Sequence, residues 1–193
     1  MKAEIVCIID KSGSMSSIRD DAIGGFNTFL EDQKKVPGEA TLTLTQFNTV
    51  LTTIYENQPL QDVQPLNHST YIPNGMTALF DAIGATVDNV GLRLESTPEA
   101  ARPDKVIVAI LTDGQENSSI IFKEAQQIKD KIQHQREKYS WEFIFLAANQ
   151  DAFTEGANLG FHAKDIANFK SDPAGIRGAY GTISTLSTGY RVS

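Results

Sequence analysis

The chain has 193 residues, 40% of them hydrophobic, which favours one domain over residues 1–193 and supplies a core able to hide roughly 70% of the extended chain's surface. Seventeen basic against 24 acidic side chains give a net charge of −7, a field that repels phosphate backbones and anionic lipid, so nucleic acid is not an expected partner. A single cysteine, Cys7, rules out an internal disulfide. The first element, Ala3–Ile9, is a short apolar run rich in β-branched residues, as in a strand buried on both faces, and Cys7 reads as a core thiol within it. Asp10 ends the run, which is too short for a signal-peptide core or a membrane span, so the expected compartment is the cytoplasm.

Ser16 and Ser17 offer an N-cap, and Ile18, Ala22, Phe26, Phe29 and Leu30 recur at helical spacing until Pro37-Gly38. Thr41–Phe47 and Val50–Tyr55 read as an antiparallel hairpin. Residues 56–74 are polar, with three prolines, and predict a surface connection. Leu79, Ile83, Val87, Val90 and Leu94 mark a second helix starting near Thr77. Val106–Leu111 is the purest apolar run and predicts a central strand. A third helix is expected through Ile121, Ala125, Ile128 and Ile132, then a strand over Trp141–Ala148 and a short helix around Ala152–Leu159. Asp172-Pro173 is an N-cap with proline at the first helical position, and Ile176, Tyr180, Ile183 and Leu186 give the last helix its core face. Strands alternating with helices predict an α/β, Rossmann-like architecture: a mostly parallel sheet with one antiparallel hairpin strand and helices on both faces.

In such sheets ligands bind beyond the carboxyl ends of strands. The first strand ends in Asp10-Lys11-Ser12-Gly13-Ser14, which presents one carboxylate and two hydroxyls within a turn. Oxygen donors of this kind suit magnesium, manganese or calcium, whereas zinc and copper sites recruit nitrogen or sulfur. Helix capping by the serines is an alternative use of the same residues. Asp113, after the central strand, adds a second carboxylate where the topology brings it beside Asp10. Thr77, after Gly75, adds a third hydroxyl at a helix start, where capping is again the alternative.

Asp10-x-Ser12-x-Ser14, with Thr77 in Gly-Met-Thr-Ala-Leu and Asp113 in Thr-Asp-Gly, resembles the metal-ion-dependent adhesion site of von Willebrand factor type A domains, also called integrin I domains. All five positions match in order and context, and the resemblance spans essentially the whole chain, with a softer likeness to short stand-alone prokaryotic domains. It implies a divalent cation at the upper edge of the sheet, usually Mg2+ or Mn2+, with Ca2+ also suited to the donors. In the family the serines and the threonine can ligate directly, and the aspartates directly or through water. With Ser12, Ser14 and Thr77 as direct ligands the ion's charge is under-compensated and attracts one more anionic oxygen, such as a Glu or Asp of a protein partner. The resemblance also allows movement of the last helix, Pro173–Ser187, on metal coordination.

The expected function is therefore a metal-dependent protein-binding module and not an enzyme. The alternatives are a Mg2+-dependent phosphohydrolase or phosphotransferase and a structural protein with an empty site. A phosphoaspartyl mechanism at Asp10 expects a second aspartate two residues later, where Ser12 stands. No Gly-Lys-Ser/Thr phosphate loop or dinucleotide fingerprint occurs. His68, His134 and His162 lie in polar stretches without a nucleophile motif, which argues against a hydrolytic triad.

Overall fold

The computed structural model describes residues 1–148 and 151–193. Six strands, β1 (Lys2–Asp10), β2 (Glu39–Phe47), β3 (Leu51–Pro59), β4 (Lys105–Thr112), β5 (Glu142–Ala147) and β6 (Ile166–Asn168), form one sheet in the order β3-β2-β1-β4-β5-β6. All neighbours are parallel except β2 and β3, the expected antiparallel pair. The helices are α1 (Arg19–Lys35), α2 (Leu79–Ser96), α3 (Ala125–Tyr139), α4 (Ala152–Asn158) and α5 (Pro173–Val192).

Period-two alternation splits the core between the two faces of the sheet. Ile5, Cys7, Ile9, Leu42, Leu44, Ile107, Ala109 and Leu111 pack against Phe26, Phe29 and Leu30 of α1 and Ile176, Tyr180 and Ile183 of α5. Val6, Ile8, Phe47, Val108, Ile110, Phe143 and Phe145 pack against Leu79, Ile83, Val87 and Val90 of α2 and Ile128 and Ile132 of α3. The chain leaves β1 through α1 on one face to reach β2, and enters β4 from α2 on the other. The carboxyl ends of β1 and β4 thus flank the point where the strand order reverses, where side chains of both loops can meet.

Four expectations are corrected. Residues 56–74 are not a purely surface connection: β3 continues to Pro59, and Leu60, Val63, Leu66 and Tyr71 are buried on the α1 face. Asn27 holds this segment, accepting from Leu66 N (2.7 Å) and donating to Leu66 O (2.9 Å). Ser16 and Ser17 do not cap α1; they lie in a 3-10 turn over Gly13–Ile18, and α1 starts at Arg19. The third helix begins at Ala125, where Glu124 and Gln127 form a capping box, so Ile121 lies outside it and is 67% exposed. β6 has three residues, too few for a period-two signal, and α5 runs past Ser187 to Val192. Among the described residues no helix is long and apolar enough to cross a membrane.

Candidate metal centre

Asp10 is the last residue of β1 and is fully buried. Its Oδ1 accepts from the backbone N of Ser12 at 2.6 Å, an Asx-type turn that folds the loop back over the strand end. That is why an Asp-x-Ser spacing works here. The turn leaves Ser12 Oγ and Ser14 Oγ 3.1 Å apart, and Ser14 Oγ donates to Asp113 Oδ1 at 2.6 Å. Thr112, the residue before Asp113, donates through its hydroxyl to Asp10 Oδ2 at 2.7 Å. The ends of β1 and β4 are therefore stitched together through side-chain oxygens.

Thr77 arrives from a third loop, held by backbone pairing. Gly13 N donates to Gly75 O (3.0 Å) and Asn74 N to Lys11 O (2.9 Å). Gly75 has φ +74, the left-handed region, and a Cβ there would lie 3.1 Å from Thr49 Oγ1, so this turn requires glycine. From the other side Asn117 clamps Thr77: Thr77 N donates to Asn117 Oδ1 (2.9 Å) and Asn117 N to Thr77 O (3.0 Å). A Cβ on Gly114 would meet Thr77 Oγ1 at 3.1 Å, so the missing side chain at 114 leaves open the space beside that hydroxyl.

The capping alternative is not realised. The N-cap of α1 is Ile18 and that of α2 is Ala78, neither with a side-chain cap, and the residue before the 3-10 turn, Ser12, makes no side-chain cap bond either. At the start of α2 the free N–H groups are taken by Glu116 and Ser119, which accept from Phe80 N and Asp81 N. Ser12, Ser14 and Thr77 are thereby spared for another use, and Thr77 Oγ1 has no hydrogen-bond partner among the described residues.

Electrostatics at this point favour a cation. Burial pushes the Asp10 carboxyl above its ordinary pKa, the hydrogen bonds from Ser12 and Thr112 oppose that rise, and the Asp113 charge adds to it. Neither carboxylate has a Lys, Arg or His partner among the described ion pairs. A buried carboxylate without a counter-ion is costly, and a cation relieves the cost. The donors fit a hard divalent ion: adjacent ligands of Mg2+, bonded at about 2.1 Å at right angles, lie about 3 Å apart, close to the Ser12–Ser14 separation. Among the described residues no three His, Cys, Asp or Glu side chains cluster to hold a metal.

Of the five residues singled out in the sequence, the structure links Asp10, Ser12, Ser14 and Asp113 through hydrogen bonds at the strand ends, and it sets the Thr77 hydroxyl beside Gly114, the neighbour of Asp113. It adds supports that sequence reasoning missed. Tyr71 donates its hydroxyl to Asp10 O (2.7 Å), Thr112 and Asn117 act as above, and Ser171 Oγ donates to Asp113 Oδ2 (3.3 Å) from the loop before α5. Thr112 adjoins a singled-out aspartate and was within reach of the sequence; Tyr71, Asn117 and Ser171 carry no local signal. His68, His134 and His162 are exposed, as expected, and none contacts the five. A cleft of about 860 Å3 lies at the other end of the sheet, between α2 and α3, and is lined by none of them.

By sequence the chain matches no protein-family model and no curated protein. By structure it is similar to proximal thread matrix protein 1 of the mussel byssus, solved with zinc in its metal-ion-dependent adhesion site, with a TM-score of 0.64 and 17% identity over 96% of this chain and 46% of that one. It is similar to a von Willebrand factor type A protein from Catenulispora acidiphila, at 0.60 and 17% over 97% of this chain and 43% of that one. Manganese-loaded TRAP protein of Plasmodium vivax matches at 0.61 and 15%, over 91% of this chain and 71% of its own. The chain has the von Willebrand factor type A fold, and it spans less than half the length of the mussel and Catenulispora proteins.

Proposed function

We propose that residues 1–193 form one metal-dependent protein-binding module, in which Asp10, Ser12, Ser14, Thr77 and Asp113 hold a divalent cation, Mg2+ first and Mn2+ or Ca2+ as alternatives, and a partner's Glu or Asp completes its coordination. The observation that carries this reading is the linkage of Ser12, Ser14, Asp10 and Asp113 at the strand-order reversal, with the Thr77 hydroxyl beside Gly114 and none of the five spent on helix capping or an ion pair. Metal-occupied neighbours of the same fold add support. A cation held there supplies an electrophilic position for one further carboxylate oxygen.

The chain's own residues set how that position behaves. Asp10, anchored through Ser12 N and Thr112, provides fixed negative charge from below. Ser12, Ser14 and Thr77 contribute neutral oxygens; with these three as the direct ligands the ion's charge is under-compensated at the metal itself, which draws one more anionic oxygen despite the molecule's overall −7. Thr112 and Tyr71 hold Asp10, and Ser171 and Ser14 hold Asp113, so the donor positions are set before a ligand arrives. The phosphohydrolase reading lacks a second carboxylate at position 12. Affinity capture from the source cell in Mn2+ against EDTA, with Thr77→Ala as control, tests the proposal. Proteins retained only by wild type with metal are expected. Metal-dependent phosphoester turnover with no retained protein would overturn it.

A further inference from the structure

Five of the large apolar side chains that the fold leaves exposed, Val50 (67%), Ile72 (52%), Met76 (53%), Ile120 (75%) and Ile121 (67%), sit in loops at the carboxyl ends of the strands. Single exposed apolar residues need no explanation, but several on one face around a polar centre mark a contact surface.

These residues form a strip through hydrogen-bonded neighbours. The turn carrying Val50 is tied to the loop carrying Ile72 and Met76: Asn48 Nδ2 donates to Asn74 Oδ1 (2.8 Å), and Met76 N donates to Thr49 Oγ1 (3.1 Å). Met76 adjoins Thr77, whose backbone is clamped by Asn117 of the loop that carries Ile120 and Ile121. That loop is fixed from beneath. Asp81 accepts from Ile120 N (2.8 Å), Ile121 N (3.0 Å) and Phe122 N (2.7 Å), and the Phe122 ring covers Gly84 so closely that a Cβ there would meet it at 2.5 Å.

The two carboxylates of the strip are turned inward. Asp81 is spent on those three N–H groups, and Glu116 accepts from Phe80 N, Ser118 N and Ser119 N. Neither carboxylate is therefore free to face an incoming acidic ligand, and the exposed residues between the apolar ones, Thr49, Asn74, Gln115 and Asn117, are neutral.

We propose that this strip is the second half of the binding surface: it seats aliphatic or aromatic side chains that flank the acidic residue in an extended segment of a protein partner. The inference rests on the metal-dependent reading above. A lone cation would recognise any acidic protein; an apolar strip beside it restricts the partner to acid-plus-apolar segments. The strip is continuous with the five-residue centre through Thr77, so one short segment can reach both.

The test is selection of a random peptide library on the Mn2+-loaded protein, eluted with EDTA. Direct Mn2+ titration follows for wild type, Val50→Ser and Ile121→Ser, all of which are expected to bind the ion alike, because both positions are solvent-exposed and neither is a ligand. The enriched peptides are expected to carry Asp or Glu within about three residues of an aliphatic or aromatic residue, and to lose about tenfold or more in affinity when both substitutions are combined. Enriched peptides with acid but no apolar preference, or full affinity in the doubly substituted protein, would overturn the strip while leaving the metal-dependent reading intact. No EDTA-eluted peptide from a protein that binds Mn2+ would overturn the acidic-ligand reading and the strip with it. Metal-dependent self-association, or adsorption to phosphatidylcholine vesicles, that the two substitutions abolish would assign the strip to a second copy or to lipid, and would equally overturn the proposal.

Discussion

Asp10 is a fully buried carboxylate without a cationic partner, and its burial has a measurable sign. Because the folded pKa lies above the unfolded one, the cost to folding is absent below the unfolded pKa, grows as the pH rises toward the folded pKa and is fully present above it. Asp10→Asn keeps an acceptor for Ser12 N and can donate to Thr112 Oγ1, which then donates to Gly114 O. In EDTA this substitution is expected to raise the melting temperature at neutral pH, with the gain shrinking toward about pH 4, while abolishing Mn2+ binding. A lowered melting temperature at neutral pH would contradict the electrostatic account. Cys7 is buried beneath α1 and α5 with its thiol pushed up to about 12, so it is expected to resist iodoacetamide in the native protein and to react on unfolding, as mass spectrometry would show. Asp10, Ser12, Ser14, Thr77 and Asp113 could be singled out from sequence, because each lies beside a strand end or helix start with a local signal. Tyr71, Asn117 and Ser171 could not, because their roles consist of contacts with residues between 40 and 61 positions away.

At the scale of elements, α5 packs against α1 through Tyr180 and Phe26, and the loop before it reaches Asp113 through Ser171. Two adjacent glycines in α1 isolate that packing. A Cβ on Gly25 would meet the Tyr180 ring of α5 at 2.5 Å, whereas one on Gly24 would meet nothing within 4 Å. Gly24→Ala is expected to stabilise by about 0.5–1 kcal/mol through helix propensity. Gly25→Ala should forfeit that gain and destabilise by about 1–3 kcal/mol through overpacking. Urea denaturation of the pair checks both, and equal shifts would show that the contact with Tyr180 is soft. Long elements with strong periodicity, β1, β4, α2 and α5, were readable from sequence. The buried stretch over Leu60–Tyr71 was not, because its apolar residues follow neither a helical nor a strand period and are buried by α1. β6 escaped because three residues carry no pattern, and the start of α3 was displaced because Ile121 continues the spacing of Ala125, Ile128 and Ile132 yet is exposed.

For the whole molecule, the sheet order sets where chemistry can happen. β2 and β4 lie on either side of β1, and the helices leading to them lie on opposite faces, so the Asp10 and Thr112–Asp113 loops must converge at one edge. Strand alternation implied this class; the strand order itself and the Asn74–Thr77 clamp required the structure, because they depend on pairing between distant segments. In the proposed function this edge holds one divalent cation through oxygens from three loops. Calorimetric titration with Mn2+ of wild type, Thr77→Ala and Asp113→Ala tests it most directly, with melting temperatures in EDTA as the check on folding. One ion per chain for wild type, affinity lower by at least about tenfold in each variant and an intact fold are the expected result. Wild-type affinity in both variants, or no saturable site in the wild type, would contradict it.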